Sequence, residues 1–506
     1  MKRFLSVLLT LALLLGTLPA AFAQGADDPI TFSIFVDHTW YWMDCFEDEV
    51  AQEVTRRTGV KLDVTRATDS NQLAVMISSG DMPDLVYTSN TTIMNELRTP
   101  EVCWSYNELV EKTGADLNAD ASEILINTAP DGNYYALLNT YVPQSAYDNN
   151  EVLLSAGMVT LSYRKDIYEE LGSPAINTLE DLEALLIKVK EAHPDMIPLI
   201  PVYEYESLNY FKQALGIFDQ NVGYNADGKV AYKLSADHIR DYYMLLNRYS
   251  REGLFSPEAM TYSYSQVMEV AYAGKVFAFI RATGDTRVAQ KNANETGSGY
   301  TWDMLVNDVS DNTLRTSITA GWSGLFITKN CKDPERAIKF MEFCRSDEGR
   351  QLMSWGIPNV HWEYDENGQT RRTQYYRDQI AAGKGHQADL GVGGWIFGDK
   401  GDENSFIDHG VTDELRIKGA ERRSKYASTM KVWSELGLCL PTDGDELTIL
   451  KKLNDMVQSE EMKVIFASSE EEASAAFDTM IERANSIGLQ QLNDYLNARL
   501  AEVKAQ

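Results

Sequence analysis

The stretch ISSGDMPDLVYTSN, Ile77 to Asn90, holds a helix end, a sharp turn, a buried strand and a polar strand tip in fourteen residues. Ahead of it, Leu73, Met76 and Ile77 sit at helical spacing, and Gly80 supplies the left-handed conformation that stops a helix. Pro83 fixes φ and lacks an N–H, so Asp81 to Pro83 cannot prolong that helix. Leu85, Val86 and Tyr87 then read as a short strand buried on both faces. Thr88, Ser89 and Asn90 put small hydrogen-bonding groups at its carboxyl end. Open α/β sheets bind ligands in the crevice outside the carboxyl ends of their strands, so the segment predicts both a fold class and a place for a ligand.

Reading outward, Ile30 to Val36 is a first strand, followed by the aromatic loop Asp37 to Trp42. Phe46, Val50 and Val54 recur every four residues up to Gly59, and Val60, Leu62 and Val64 then alternate as a strand. This βαβα order implies a mostly parallel sheet covered by helices. Further along, Met158 to Tyr163 is a strand and Thr178 with Asp181 forms a capping-box pattern. An Asp-Gly turn at Asn225–Lys229 joins two short strands. Helices stop at Gly253, Gly274 and Gly488, and Asp333 with Pro334 opens another. Trp302 and Trp355 are expected in the core.

Lys2 and Arg3 precede an apolar run from Leu5 to Leu15 that ends in Ala21-Phe22-Ala23, the pattern of a signal peptide cut after Ala23. The first cysteine is Cys45, so no lipid-anchor cysteine stands at that cleavage site. Extracellular or cell-surface placement is expected, or periplasmic in a cell with two membranes. The chain of 506 residues exceeds what one core accommodates, so two lobes are expected. Net charge is −29, and loss of Lys2 and Arg3 leaves 44 basic against 75 acidic residues, −31. That balance repels nucleic acid and anionic surfaces. Five cysteines without a C-x-x-C are expected as free, mostly buried thiols.

The segment around Gly80 resembles the helix–"SGD-x-PD"–strand element of the family 1 extracellular solute-binding proteins, the capture subunits of ABC importers. Five further stretches resemble the same family in the same order: LSYRKDIYEELG (Leu161–Gly172), the run Asp227–Met260 with its EGLFSP turn, AYAGKVFAFI, the run Gly321–Ile357, and HWEYDENGQ. The resemblance implies an α/β, two-lobed periplasmic-binding-protein-like fold, each lobe a mostly parallel sheet flanked by helices and interleaved through crossing hinge strands. After a signal peptide over 1–23, residues 29–157 and 323–394 would form one lobe, and 158–322 and 395–506 the other. The crossings fall near Ala156–Val159, Gly321–Leu325 and Leu390–Trp395. Function, by the same resemblance, is capture of an oligosaccharide or glycan fragment by hinge closure and delivery to ABC permease subunits, by a monomer with no nucleic-acid partner.

A sugar presents hydroxyls and apolar C–H faces, which call for flat aromatics and for carboxylates, amides or arginine. Trp40, Tyr41 and Trp42 follow the first strand. Trp322 lies between Gly321 and Gly324 at one crossing, and Trp395 lies in GVGGWIFG at another. Ser89 and Asn90 occupy a strand tip, and Glu204 and Arg281 occupy comparable tips in the second lobe. Enzyme motifs are missing: GVGGWIFG does not fit G-x-G-x-x-G, GWSG is one residue short of a nucleophile elbow, and there is no H-E-x-x-H. No catalytic or metal residue and no cofactor is expected. Calcium is the one metal left open, because hard oxygen ligands abound, although Asp365–Gly368 and Asp443–Asp445 lack EF-hand spacing. The rival readings are an exported glycan-processing enzyme and a sensory ligand-binding component.

Overall fold

The structure, a computed structural model, describes residues 29–38, 41, 47–69, 71–148, 159–201, 207–318, 321–393, 395, 397–398 and 413–505. The expected signal peptide lies outside these residues. The chain divides into two compact units, one drawn from Met1–Asn139 and Ser323–Asp399, the other from Thr140–Trp322 and Lys400–Gln506. The divisions read from the sequence are 157/158, 322/323 and 394/395. The segment after Asn139 joins the second unit because Gln144 accepts from Val432 N–H (2.7 Å) and donates to the Met430 carbonyl (3.3 Å). Gln144 thereby satisfies the edge of strand Met430–Val432. Of the crossing expected at Ala156–Val159, only Val159 falls within the described residues.

In the first unit, strands Gly324–Ile327, Leu85–Thr88, Ile30–Val36 and Val60–Arg66 lie side by side in that order. The last three run parallel and Gly324–Ile327 is opposed, with Leu325 facing Tyr87. Every residue of Leu85–Thr88 is buried, as a strand covered on both faces requires. Helix Gln72–Ser79 ends on Gly80 at φ 74°, a conformation that costs a residue with a Cβ more. The turn behind it is held by Asp84. This buried carboxylate accepts from Ser33 N–H and Ser33 Oγ–H (2.8 Å each) and from Lys332 N–H (2.9 Å).

Helix Pro334–Arg345 starts on the Asp333 cap and buries Ala337, Phe340, Met341 and Cys344. At its end Arg345 donates to the Leu117 carbonyl (2.6 Å) and to Glu123 (2.7 Å), with both side chains 1 % exposed. Helices Thr91–Leu97, Tyr106–Thr113 and Ala121–Asn127 were not anticipated. They are seven or eight residues long, too short for a periodic signal to stand out.

The second unit holds strands Ile197–Pro201, Val276–Ala282, Val159–Arg164 and Trp302–Met304 in that order. Three run one way and Val159–Arg164 the other. Helix Leu179–Ala192 carries the Thr178–Asp181 capping box. The hairpin Val222–Tyr224/Val230–Tyr232 docks on helix Leu489–Ala505, where Asn497 both donates to and accepts from the backbone of Val230 (2.7 and 3.0 Å). Asn493 accepts from Tyr232 N–H (2.8 Å). Helices Gly444–Ile465 and Glu470–Ile487 close the same core, with Phe477 against Tyr243 and Phe466 against Phe255. Trp302 and Trp355 are buried.

Cys103, Cys331, Cys344 and Cys439 are free and buried, and burial pushes the Cys331 and Cys439 thiols up to about 12 and about 11. Among the described residues no helix is long and apolar enough to cross a membrane.

Candidate functional site

The carboxyl ends of the three parallel strands of the first unit come together at Val36, Arg66 and Thr88. Asp37 N–H bonds to the Tyr87 carbonyl (2.8 Å) and Ala67 N–H to the Val36 carbonyl (2.9 Å), so the strand tips are tied to one another. The Thr88 hydroxyl donates to Asp37 (2.8 Å). Burial raises the Asp37 carboxyl above its ordinary range against the pull of that hydrogen bond. Asp37 was not singled out from the sequence. Its signal was its place, the first polar residue after a buried strand.

Beside these tips lies a buried network. Asn139 donates to the Tyr87 hydroxyl (2.9 Å) and accepts from Ser323 Oγ–H (2.7 Å) and Ser323 N–H (3.1 Å), and the Tyr87 and Ser323 hydroxyls also bond. Asn139 N–H reaches the Ser323 carbonyl (2.8 Å). Asn139 is the last residue of the unit's first segment and Ser323 the first of its second, so two chain passages are fastened side by side. Fully bonded buried networks of this kind specify one arrangement of backbone.

The expected site residues have separate fates. Ser89 is half-buried at the strand tip. Asn90 is exposed, but its side-chain oxygen caps helix Thr91–Leu97 by accepting from Thr92 and Ile93 N–H (3.1 and 3.2 Å). Tyr41 and Trp395, expected as ligand-binding aromatics, are buried, at 0 % and 5 % exposure. Both pack on Phe397, at ring-centroid distances of 6.5 and 6.2 Å, and Phe397 in turn meets Tyr87 edge-on. Their faces are used in the core because a buried aromatic gains more from close neighbours than from water. Trp40 and Trp42 lie outside the described residues, as does Glu204.

In the second unit, Arg281 stands at the carboxyl end of Val276–Ala282. Its Nε lies 3.5 Å from Asp285, and its guanidinium 5.4 Å from the Tyr264 ring. The Tyr264 hydroxyl donates to Asp285 (2.8 Å), which fixes the carboxylate between ring and guanidinium. Arg281 is thus a half-buried, oriented donor rather than a free surface charge. The start of the neighbouring strand is pinned by buried Arg422, which donates to the Val159 and Val306 carbonyls and to Asp308. Trp322, at 38 % exposure, is the most exposed tryptophan among the described residues. Among the described residues no group of three or more His, Cys, Asp or Glu is arranged to hold a metal ion. Asp365 instead closes the hairpin Trp362–Tyr364/Thr370–Arg372, accepting from Asn367 and Gln369 N–H (2.8 Å each).

Comparison with solved structures places this fold among solute-binding proteins. An extracellular solute-binding protein from Bifidobacterium longum subsp. infantis superposes with a TM-score of 0.70 at 14% identity, over 95% of this chain and 99% of the other. The Streptococcus pneumoniae ABC-transporter substrate binding protein FusA, in complex with kestose, gives 0.65 at 16% identity over 94% and 100%. The N-glycan transport solute binding protein NgtS of S. pneumoniae gives 0.61 at 16% identity over 94% and 98%. These likenesses establish the α/β, periplasmic-binding-protein-like fold. No curated protein sequence matches the chain. The family model of the bacterial extracellular solute-binding proteins matches residues 46–351, more than half of the chain, and the protein therefore belongs to that family.

Proposed function

We propose that the protein captures an oligosaccharide or glycan fragment between its two units by hinge closure and hands it to the transmembrane subunits of an ABC importer. Membership of the family implies the coarser part of this statement: an exported protein that binds a small molecule and serves an ABC permease. The carbohydrate assignment rests on one observation above others. Trp322 is exposed next to the fastened passages at Asn139 and Ser323, in a chain whose strand tips offer Asp37, Ser89 and Arg281. An aromatic face and carboxylate, hydroxyl and guanidinium groups are the kinds of group a sugar ring requires. The solved relatives described with kestose or as N-glycan transporters support the same ligand class.

The mechanism follows from differential affinity. A ligand touching both units binds the closed state better than the open one, so binding itself favours closure. No covalent step and no cofactor enters, and the protein acts as a monomer, exported by a signal peptide cut after Ala23.

The test is a thermal-shift screen of the chain from Gln24 onward against mono- and oligosaccharides, with peptides and calcium as controls. A ligand at a hundred times its Kd adds about 2.7 kcal/mol to stability. A glycan that stabilises wild type but not Trp322→Ala supports the reading. Stabilisation by peptides or calcium alone, with every glycan silent, removes the carbohydrate assignment and leaves the family.

A further inference from the structure

Helix Thr283–Thr296 begins immediately after strand Val276–Ala282, and helix Glu414–Ser428 packs on it so closely that a Cβ at Gly419 would lie 3.8 Å from that of Thr283. Arg416 and Arg423 are seven residues apart on the second helix, two turns along one face and about 10 Å in rise. Arg287 lies just over a turn into the first helix. Its proximity to both is felt electrostatically. Partial burial and then Arg416 hold Arg287, an exposed residue, below the usual arginine range against the pull of Asp413 and Asp285, and burial and then Arg287 lower half-buried Arg423.

Among the described residues these three guanidinium groups make no ion pair and donate no side-chain hydrogen bond, and Arg423 Nε is buried without a partner. The carboxylates nearby are committed elsewhere. Asp285 takes the Tyr264 hydroxyl and Arg281, Asp413 caps its own helix through Arg416 N–H (2.8 Å), and Glu414 pairs with Lys418 (3.2 Å). This occurs in a chain with 75 acidic against 46 basic residues, where a surface arginine finds a carboxylate easily. Mutual repulsion and an unpaired buried donor both cost stability, and an anion placed among the three relieves both. Guanidinium forks match the planar oxygens of carboxylates and the tetrahedral oxygens of sulfates.

We propose that Arg287, Arg416 and Arg423 form a subsite for an anionic substituent, a carboxylate or a sulfate, on the glycan this protein captures. The inference rests on the capture reading and narrows it from glycans in general to acidic ones. It also reconciles the strongly negative chain with such a ligand. The global charge opposes approach of an anion, while the local guanidinium cluster, off the same strand end as Arg281, supplies the attraction.

The experiment is calorimetric titration of the chain from Gln24 with trigalacturonate, with its full methyl ester, and with a sulfated carrageenan tetrasaccharide. Wild type is compared with an Arg287→Gln/Arg423→Gln double variant. One anionic probe should bind at least about tenfold more tightly than the neutral ester, and the double variant should lose that advantage. Its melting point should stay within about 2 °C of wild type, since neither side chain holds a structural partner. Whichever anionic probe wins distinguishes carboxylate from sulfate. Arg416→Gln, at an exposed position, serves if the double variant fails to fold. Binding of the ester as tightly as the acid, or an advantage for the acid that survives the variants, overturns the subsite and leaves the capture reading standing. Failure of every oligosaccharide to bind overturns both.

Discussion

Replacing Asp84 by alanine tests the structural logic of the turn that carries the first unit's strand tip. The carboxylate is buried and receives Ser33 N–H, Ser33 Oγ–H and Lys332 N–H at 2.8, 2.8 and 2.9 Å, with the Lys332 ammonium at 3.4 Å. Alanine leaves two backbone donors and a hydroxyl to find new partners, and each buried donor left unpaired costs about 1–3 kcal/mol. The ammonium is half exposed and adds less than about 1 kcal/mol. With partial rescue by water the loss is about 3–5 kcal/mol, comparable to breaking a buried ion pair. At about 2–4 °C per kcal/mol for a unit of this size, the melting point should fall by roughly 10 °C. Burial alone would raise the Asp84 carboxyl, but the hydrogen bonds and the Lys332 charge outweigh it and hold the group below its ordinary value. A depressed carboxylate stabilises above its unfolded pKa and loses that contribution as pH falls through the folded one. The penalty of the substitution should therefore be full at neutral pH and shrink below about pH 4. Scanning calorimetry of both proteins across pH reads this directly. A variant that melts within about 2 °C of wild type at pH 7, or a penalty that persists undiminished in acid, would refute the reasoning.

Five other outcomes follow from the same geometry. Burial lowers His38 to about 4, so the folded protein holds it neutral while the unfolded chain protonates from 6.5 downward. Stability should decline as pH drops between those values, less steeply in His38→Gln, as melting curves from pH 4 to 7 would show. Trp395→Ala should cost about 3–5 kcal/mol in denaturant unfolding because the ring is buried. Trp322→Ala, half exposed, should cost less than about 1 kcal/mol and register in glycan titration instead. Glu123→Ala strands the fully buried Arg345 and should cost about 3–5 kcal/mol by the same assay, whereas Glu123→Leu with Arg345→Met should recover much of that. Finally, Cys103, Cys331, Cys344 and Cys439 should stay unreactive toward a thiol reagent at pH 8 until the protein unfolds, in a Cys45→Ser background.

The elements read correctly from the sequence are those whose signals are local. Gly80 ends its helix, Leu85–Thr88 is a strand buried throughout, Thr178 and Asp181 cap reciprocally, and Asp333 with Pro334 starts the helix that follows. What the sequence concealed is what distance in the chain conceals. Asp84 owes its role to Ser33, 51 residues away, and to Lys332, 248 away. Tyr41 and Trp395 read as candidate platforms because aromatic loops after strands often are. Phe397, which takes both into the core, could be matched to Tyr41 only through the fold. The tie between the segment after Asn139 and the second unit is hidden for the same reason. Gln144 reaches Met430 and Val432 nearly three hundred residues on, and no composition shift marks it. Trp322 could be singled out because two glycines flank it at a chain passage, whereas the arginine cluster, assembled from two helices far apart in sequence, could not.

The central claim is capture by closure, and small-angle X-ray scattering with and without the best glycan from the screen tests it most directly. The account predicts a smaller radius of gyration at saturation, and chromatography of the same sample should return the glycan chemically unchanged. Saturable binding with no compaction, or recovery of a cleaved glycan, would contradict it.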